Sequence, residues 1–543
     1  MQINRFKNSF AENIFKNKYA QGPNDTWDAL ADRLVEDVCG SRWGKDKSIM
    51  SQEDRDCLAQ YIKEMKFVPG GRYLWYAGRG NSYFNNCFLL RAEEDTREEW
   101  ANLTQRAVSC LMTGGGIGVD YSILRPSGKP LTRTGGLSSG PIPLMQMLNE
   151  VGRGVMQGGS RRSAIYASLN WLHEDIPAFL TSKNWSDEIK AMKDKDFNAA
   201  APLDMTNISV NYDDKWLHNA DRANLHTFVE NCRQAMMTGE PGFSFNFGDK
   251  QNETLRNACT EVTSEDDSDV CNLGSINISN VSSLEEFKHI VELGSKFLVC
   301  GTLRADLPYD KVYKVREKNR RLGLGLMGIH AWLLQRGQGY EVTPELHEWL
   351  KVYKNESERS ANEHCERLFI SKPVAYRAIA PTGSIGILAG TTTGIEPLFA
   401  VAYKRRYLTD GTKWKYEYVV DTTADQLIKE YGLDPSKIET AYGLSHDYEK
   451  RLKFQADIQD YVDMSISSTI NLPSWGSKDN NEGCVTKFAE TLSRYAPRLR
   501  GFTCYPDGSR GGQPLTEVPY EEAIKHKGTV FEENIDRACV SGV

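Results

Sequence analysis

The sequence predicts an α/β protein, and three observations carry that reading. Short apolar runs of strand length recur along the chain: NCFLL (86–90), GIGVDYSIL (116–124), MTNISVNY (205–212), SINISNV (275–281) and SIGILAG (384–390). Between them lie amphipathic stretches such as PLMQMLNEVGRGVM (143–156), and this alternation favours strands joined by helical crossovers into parallel pairs. The chain is 543 residues long, 40% hydrophobic and 26% charged, so it can bury a large core and has the make-up of an ordinary globular protein.

Taken in order, the first elements are helical. WDALADRLVEDV (27–38) and QEDRDCLAQYIKEM (52–65) repeat apolar residues at three- and four-residue spacing. Asp25 and Thr26 form a helix start ahead of the first, and FVPGG (67–71) breaks the pattern. From about 81 to 500 the α/β alternation continues. After Arg510 the chain is polar and punctuated by glycine and proline. The expected organisation is a small N-terminal helical segment over 1–75, a catalytic body over 76–510 and a flexible tail over 511–543.

Composition excludes several classes. A formal net charge of -7 gives no electrostatic footprint for wrapping nucleic acid. No signal-peptide core opens the chain, and no apolar run of about 18 residues is present, so a cytoplasmic protein with no membrane partner is expected. The 12 cysteines include no CxxC pair, which argues against a disulfide scaffold and predicts no metal site. Cys39, Cys57, Cys110, Cys232, Cys300 and Cys365 read as inert core thiols.

The chemistry concentrates in a few blocks. Asn257, Cys259 and Glu261 form NxCxE, followed closely by CNLGSIN over 271–277. In an extended segment the three side chains would share one face, because direction alternates with period two. An amide, a thiol and a carboxylate together suit sulfur-centred chemistry on a polar substrate; a surface loop with an incidental cysteine is the plainer alternative. A third block, PTGSIG (381–386), follows Ala378–Ile379–Ala380 and reads as a strand-to-helix turn offering N–H groups to a phosphate. It lacks the lysine ending of a P-loop. Gly323 to Gly328 satisfies GxGxxG, but it follows the basic run REKNRR and has no acidic partner about 20 residues on. Close helix packing through glycine is the expected role there, and a nicotinamide dehydrogenase is rejected.

Together the ordered blocks NCFLL, NxCxE, CNLGSIN and PTGSIG resemble the large catalytic subunit of ribonucleotide reductases, over most of the chain from about residue 68. The resemblance implies a ten-stranded α/β barrel with a central finger loop. It implies that Cys259 is the thiyl radical that abstracts the ribose 3′-hydrogen, that Glu261 is the general base on the 3′-hydroxyl and that Asn257 binds the ribose hydroxyls. Cys87 and Cys271 would be the pair that reduces the sugar by closing to a disulfide, and Thr382, Gly383, Ser384 and Ile385 would hold the substrate phosphates. Gly158, Gly159, Ser160, Arg161 and Arg162 resemble the family's specificity loop, and residues 125–136 resemble the loop nearer the effector phosphates. Deoxynucleotides and ATP are thus expected as allosteric effectors.

Reductases with a separate metal-containing subunit relay the radical through two adjacent tyrosines. Here the matching segment reads GFTCYPDGSR (501–510), with Cys504 at one tyrosine position. The segment resembles instead the adenosylcobalamin-dependent class, and adenosylcobalamin is the expected cofactor. The rival readings are a catalytic subunit that needs a metal radical partner and a non-catalytic nucleotide-binding regulator. No ATP-cone motif is found near the start. The family's tail commonly ends in a cysteine pair that takes electrons from thioredoxin or glutaredoxin, whereas this sequence offers Cys539 alone. The resemblance allows a homodimer as well as a monomer, and a di- or triphosphate substrate.

Overall fold

The computed structural model describes residues 5–41, 47–155, 163–196, 199–409, 413–509, 515–527 and 529–533. Helices α1 (Ser9–Lys18), α2 (Trp27–Cys39) and α3 (Gln52–Lys63) open the chain. Each begins where a short polar side chain satisfies an unpaired helix N–H: Asn8 accepts from Ala11 N, Thr26 from Ala29 N and Ser51 from Asp54 N. Their apolar stripes, including Phe15, Trp27, Leu30, Leu34 and Leu58, enter one large core.

The ten-stranded sheet that follows is mixed. Its strands are β1 (Phe67–Pro69), β2 (Cys87–Arg91), β3 (Gly116–Asp120), β4 (Ile165–Asn170), β5 (Thr206–Tyr212) and β6 (Gly242–Phe245). After a two-stranded hairpin, β7 (Leu255–Arg256) and β8 (Thr263–Ser264), the sheet continues with β9 (Asp269–Asn277) and β10 (Leu322–Met327). A separate pair, β11 (Ala402–Thr409) and β12 (Lys413–Val420), precedes the last two members, β13 (Thr469–Leu472) and β14 (Gly501–Pro506). Strands β2 to β6 run parallel to one another. So do β9 with β10 and β13 with β14. The two parallel sets meet antiparallel, at β2–β9 and at β6–β14. Single parallel bridges join Leu324 to Arg377 and Ile379 to Ile466.

Helices cover the sheet and split the outer hydrophobic packing into two large clusters, one on β9 and β10 with the N-terminal helices and one on β2 to β6 with β13 and β14. A third, small cluster lies apart and holds Cys87, Leu89, Leu255, Val262, Cys271, Ala378 and Met464. It is formed by residues of β2 and β9 packed on the β7–β8 hairpin, so the site has its own core.

Three local readings of the sequence differ from the structure. SIGILAG is helical, within Gly383–Ala389; Thr382, at φ +53°, turns the chain into the helix and Gly390 ends it. The first two glycines of the GxGxxG run lie in strand β10, where they admit the Leu273 side chain and the Ala378 backbone rather than a packed helix. A Cβ on Gly325 would lie 2.7 Å from the Ala378 carbonyl oxygen. Lastly, residues expected in a mobile tail form β15 (Leu515–Glu517), the helix Tyr520–Lys525 and β16 (Val530–Glu533); the order of this second sheet is β15-β11-β12-β16.

Candidate active site

The NxCxE segment is a turn, not an extended strand. It forms the tip of the β7–β8 hairpin, where Thr260 N donates to Asn257 O at 3.0 Å and Thr260 takes φ +70°. Asn257 and Glu261 therefore converge because they stand on opposite arms of a tight turn. Asn257 Oδ1 accepts from Val262 N at 3.0 Å and closes the turn. Cys259, at the tip, is exposed, while Asn257 and Glu261 are buried.

Two features hold the hairpin in position. Gly118, in β3, faces it so closely that a Cβ there would lie 1.7 Å from the Arg256 carbonyl oxygen; only glycine fits. Beneath the tip, the Arg256 guanidinium is 1% exposed. It donates to Asn246 Oδ1 at 2.8 Å, Arg500 O at 3.1 Å and Leu255 O at 3.1 Å, so it ties the hairpin to the chain at β6 and β14. Burial, with Arg500 close by, pushes its pKa down to about 9. The neighbouring carboxylate, Glu253, would be raised by burial, but Arg500, Arg321 and Lys250 bring it down to about 2.

The sequence-predicted cysteines come together. Cys87 and Cys271 are directly opposite each other in the β2–β9 register, and partners so placed have Cα atoms about 4.5–5.5 Å apart, within disulfide range. The Cys87 sulfur accepts from Asn257 Nδ2 at 3.0 Å, and its thiol donates to Glu261 Oε1 at 3.9 Å. Burial, with Glu261 and the other site cysteines nearby, holds the Cys87 thiol well above its ordinary pKa. Burial and Asp269 do the same for Cys271. Both therefore rest as protonated thiols. Glu261 is pushed by burial up to about 7, against hydrogen bonds from Asn257 and Cys87 that lower it, and its Oε2 lacks a hydrogen-bond partner.

A cavity of about 620 Å³ opens over these groups, the size of a nucleotide-sized ligand site. Cys87, Asn257, Cys259 and Glu261 line it together with Thr382, Gly383, Ser384 and Ile385. The predicted phosphate loop and the predicted radical cysteine thus share one cavity, although they are more than a hundred residues apart. Gly158, Gly159, Ser160, Arg161, Arg162 and Cys539 lie outside the described residues. Among the described residues no group of His, Cys, Asp and Glu is arranged to hold a metal ion, and no helix is long and apolar enough to cross a membrane.

Sequence reasoning missed three contributors. Gly323 leaves space beside Cys271, because a Cβ there would lie 3.1 Å from its sulfur. Arg256 adjoins NxCxE but carries no motif signal. Lys18 lines the cavity from α1 and donates to Ser384 Oγ at 3.2 Å; nothing in the sequence joins residues that far apart.

Two parallel half-sheets thus meet antiparallel around a thiol-bearing hairpin, under a cavity of nucleotide size. The family model described as the ribonucleotide reductase barrel domain matches residues 85–226, 203–347 and 374–494. The chain belongs to the ribonucleotide reductase family. A vitamin B12-dependent ribonucleoside-diphosphate reductase of Mycobacterium tuberculosis is 25% identical over 87% of this chain and 75% of its own length. A protein of Mycobacterium phage D29, described as an adenosylcobalamin-dependent ribonucleoside-triphosphate reductase, is 23% identical over 96% of both chains. A crystal structure of a B12-dependent, class II ribonucleotide reductase superposes with a TM-score of 0.70 at 16% identity, covering 95% of this chain and 93% of that one.

Proposed function

We propose that this ribonucleotide reductase is of the adenosylcobalamin-dependent kind and reduces ribonucleoside di- or triphosphates with Cys259 as its radical residue. The observation that carries the reading is one cavity lined by the exposed Cys259, by Asn257 and Glu261, and by Cys87, which both of these touch, with Cys271 buried directly opposite Cys87 in the strand register. The single bridges at Leu324–Arg377 and Ile379–Ile466 support closure of the two half-sheets into a ten-stranded barrel, with the β7–β8 hairpin as its finger loop. The domain reading follows: a helical segment over 1–75, the barrel over 76–510 and a terminal segment over 511–543, whose β15 and β16 pair with β11 and β12.

The residues fit the cofactor. Cys259 is exposed, and the cavity lining includes the adjoining small residues Gly116, Ala164 and Ala258, which would leave room for a bulky group. The alternative relay through paired tyrosines has no match, because Cys504 is buried in β14 and donates to Ala235 O. When bound, adenosylcobalamin supplies a carbon-centred radical that can take the hydrogen atom of a thiol.

The rest belongs to the chain. The Cys259 thiyl takes the 3′-hydrogen atom, and Glu261 takes the 3′-hydroxyl proton. One thiol of the Cys87–Cys271 pair protonates the departing 2′-hydroxyl, which leaves as water. The pair then delivers two electrons and its second proton to the sugar, closing to a disulfide, while Glu261 returns its proton to the 3′ oxygen. Cys259 returns the hydrogen to the 3′ carbon and becomes a thiyl again. A thioredoxin- or glutaredoxin-type dithiol reopens the disulfide, with Cys539 as an intermediary, and deoxynucleotides or ATP at the loop 158–162 tune substrate choice. The enzyme works in the cytosol, as a monomer or a homodimer.

The test is anaerobic turnover of CDP and of CTP with dithiothreitol and a deoxynucleotide effector, with and without adenosylcobalamin. Cobalamin-dependent deoxycytidine product is expected. Product only on addition of a metal-containing partner subunit would sink the cofactor assignment, and nucleotide binding without any product would favour a regulator.

A further inference from the structure

We infer that Lys18, at the end of α1, is a ligand of the substrate's phosphates, so that the helical segment ahead of the barrel forms one wall of the nucleotide site. This rests on the reading of the cavity as a ribonucleotide site. Helix α1 packs on Gly383–Ala389 with a lysine at either end. Lys7 Nζ donates to the Gly390 carbonyl at 3.4 Å, and Lys18 Nζ donates to Ser384 Oγ at 3.2 Å.

The two contacts are not equivalent. Lys7 meets the carbonyl that ends the helix, where a cation is favoured, and its role is structural. Lys18 meets a neutral hydroxyl, and among the described residues no carboxylate pairs with it. It lines the same cavity as Cys259 and Thr382–Ile385. Among the described residues, the charged side chains lining the cavity are Lys18, Arg72 and Glu261, and Glu261 lies deep beside Cys87. Arg72 stands over Gly114, where a Cβ would meet its Nη1 at 2.2 Å, close to the start of β3. Lys18 is thus the cation on the phosphate-loop side of the cavity.

Chemistry suits the pairing. A hydroxyl both accepts and donates, so Ser384 can keep Lys18 while donating to a phosphate oxygen. An ammonium on a flexible stem neutralises a phosphate as a point charge and adapts to its position. Because Lys18 is exposed to the cavity, little desolvation opposes the contact.

The experiment compares wild type with Lys18→Gln and Lys18→Arg. Cytidine, CMP, CDP and CTP are titrated by equilibrium dialysis, and turnover of CDP and CTP is followed in the holoenzyme. In Lys18→Gln the affinity for CDP and CTP is expected to fall about tenfold, as for one lost charge-assisted hydrogen bond, while cytidine binds as before. The KM should rise by the same factor with kcat within about threefold, and Lys18→Arg should restore most of the loss. Wild-type affinities for all four ligands in Lys18→Gln would overturn the inference and leave the site reading standing. Equal loss for cytidine would also overturn it, since Lys18 would then act by holding α1. A wild type that does not prefer CDP to cytidine would remove the site reading itself.

Discussion

The amide of Asn257 donates across 3.0 Å to the sulfur of Cys87, whose own proton is directed at Glu261 Oε1, 3.9 Å away. One asparagine at the turn of a hairpin thus orients a thiol on a neighbouring strand, and the same side chain closes the turn through Val262 N.

Asn257→Ala should lower turnover by about tenfold to a hundredfold, the scale of one or two lost buried hydrogen bonds. Cys87 should also become slower to alkylate, because its sulfur loses the donor that stabilises the reactive thiolate. Unchanged turnover with unchanged thiol reactivity would show that the contact does not position Cys87.

The pH dependence follows from Glu261. Burial raises its carboxyl to about 7, and the proposed base must be ionised, so turnover should rise as pH increases through about 7. Stability runs the other way. A carboxyl whose folded pKa lies above its unfolded value binds more protons in the native state, so its contribution declines as pH rises from about 4.3 toward 7. Glu261→Gln should abolish turnover, melt like wild type at pH 5 and melt higher at pH 8, by an amount on the order of 1–3 kcal/mol. A turnover profile flat between pH 6 and 8 would exclude Glu261 as the base.

The facing register of Cys87 and Cys271 predicts where electrons are stored. One turnover without external reductant should leave two fewer titratable thiols than the 12 of the sequence, with a Cys87–Cys271 peptide recovered by mass spectrometry. Cys271→Ser should yield no deoxynucleotide and no such peptide. A different cross-link in wild type would reassign the pair.

Gly118→Ala inserts a methyl group where the Arg256 carbonyl oxygen lies 1.7 Å from the added carbon. The hairpin must shift, at a cost of about 1–3 kcal/mol, and Cys259 shifts with it. The protein should still fold with its melting temperature lowered by a few degrees, while turnover falls more than a hundredfold, as misplaced reacting groups allow. Gly22→Ala, at an open position with nothing within 4 Å and no positive φ, gives a control that cannot crowd the hairpin.

Much of the site was legible because its chemistry sits in short contiguous words. NxCxE, the cysteine of NCFLL and the cysteine of CNLGSIN each carry their own signal, and β2, β3, β5 and β9 all overlap apolar runs visible in the sequence. What was not legible depends on contacts made across the chain. The hairpin was read as extended because period-two spacing also fits a turn with two converging arms. SIGILAG was grouped with strands because a seven-residue apolar run is too short for helical periodicity to show. The glycines of β10 carry a fingerprint pattern, yet Gly323 and Gly325 are small because Leu273 and the Ala378 backbone approach them. Lys18 and Ser384 have no common motif and meet only after α1 folds back along the helix Gly383–Ala389.

The position of Cys87 and Cys271 has a thermodynamic consequence. They lie on strands of opposite parallel sets, at the antiparallel seam between them. Each catalytic cycle would therefore stitch the two halves of the molecule together and each reduction would unstitch them. The cross-link closes a loop of about 185 residues, which chain-entropy reasoning values at about 5 kcal/mol against unfolding. The spent enzyme should then be the more rugged one, and the charged, ready enzyme the one most open to heat and protease.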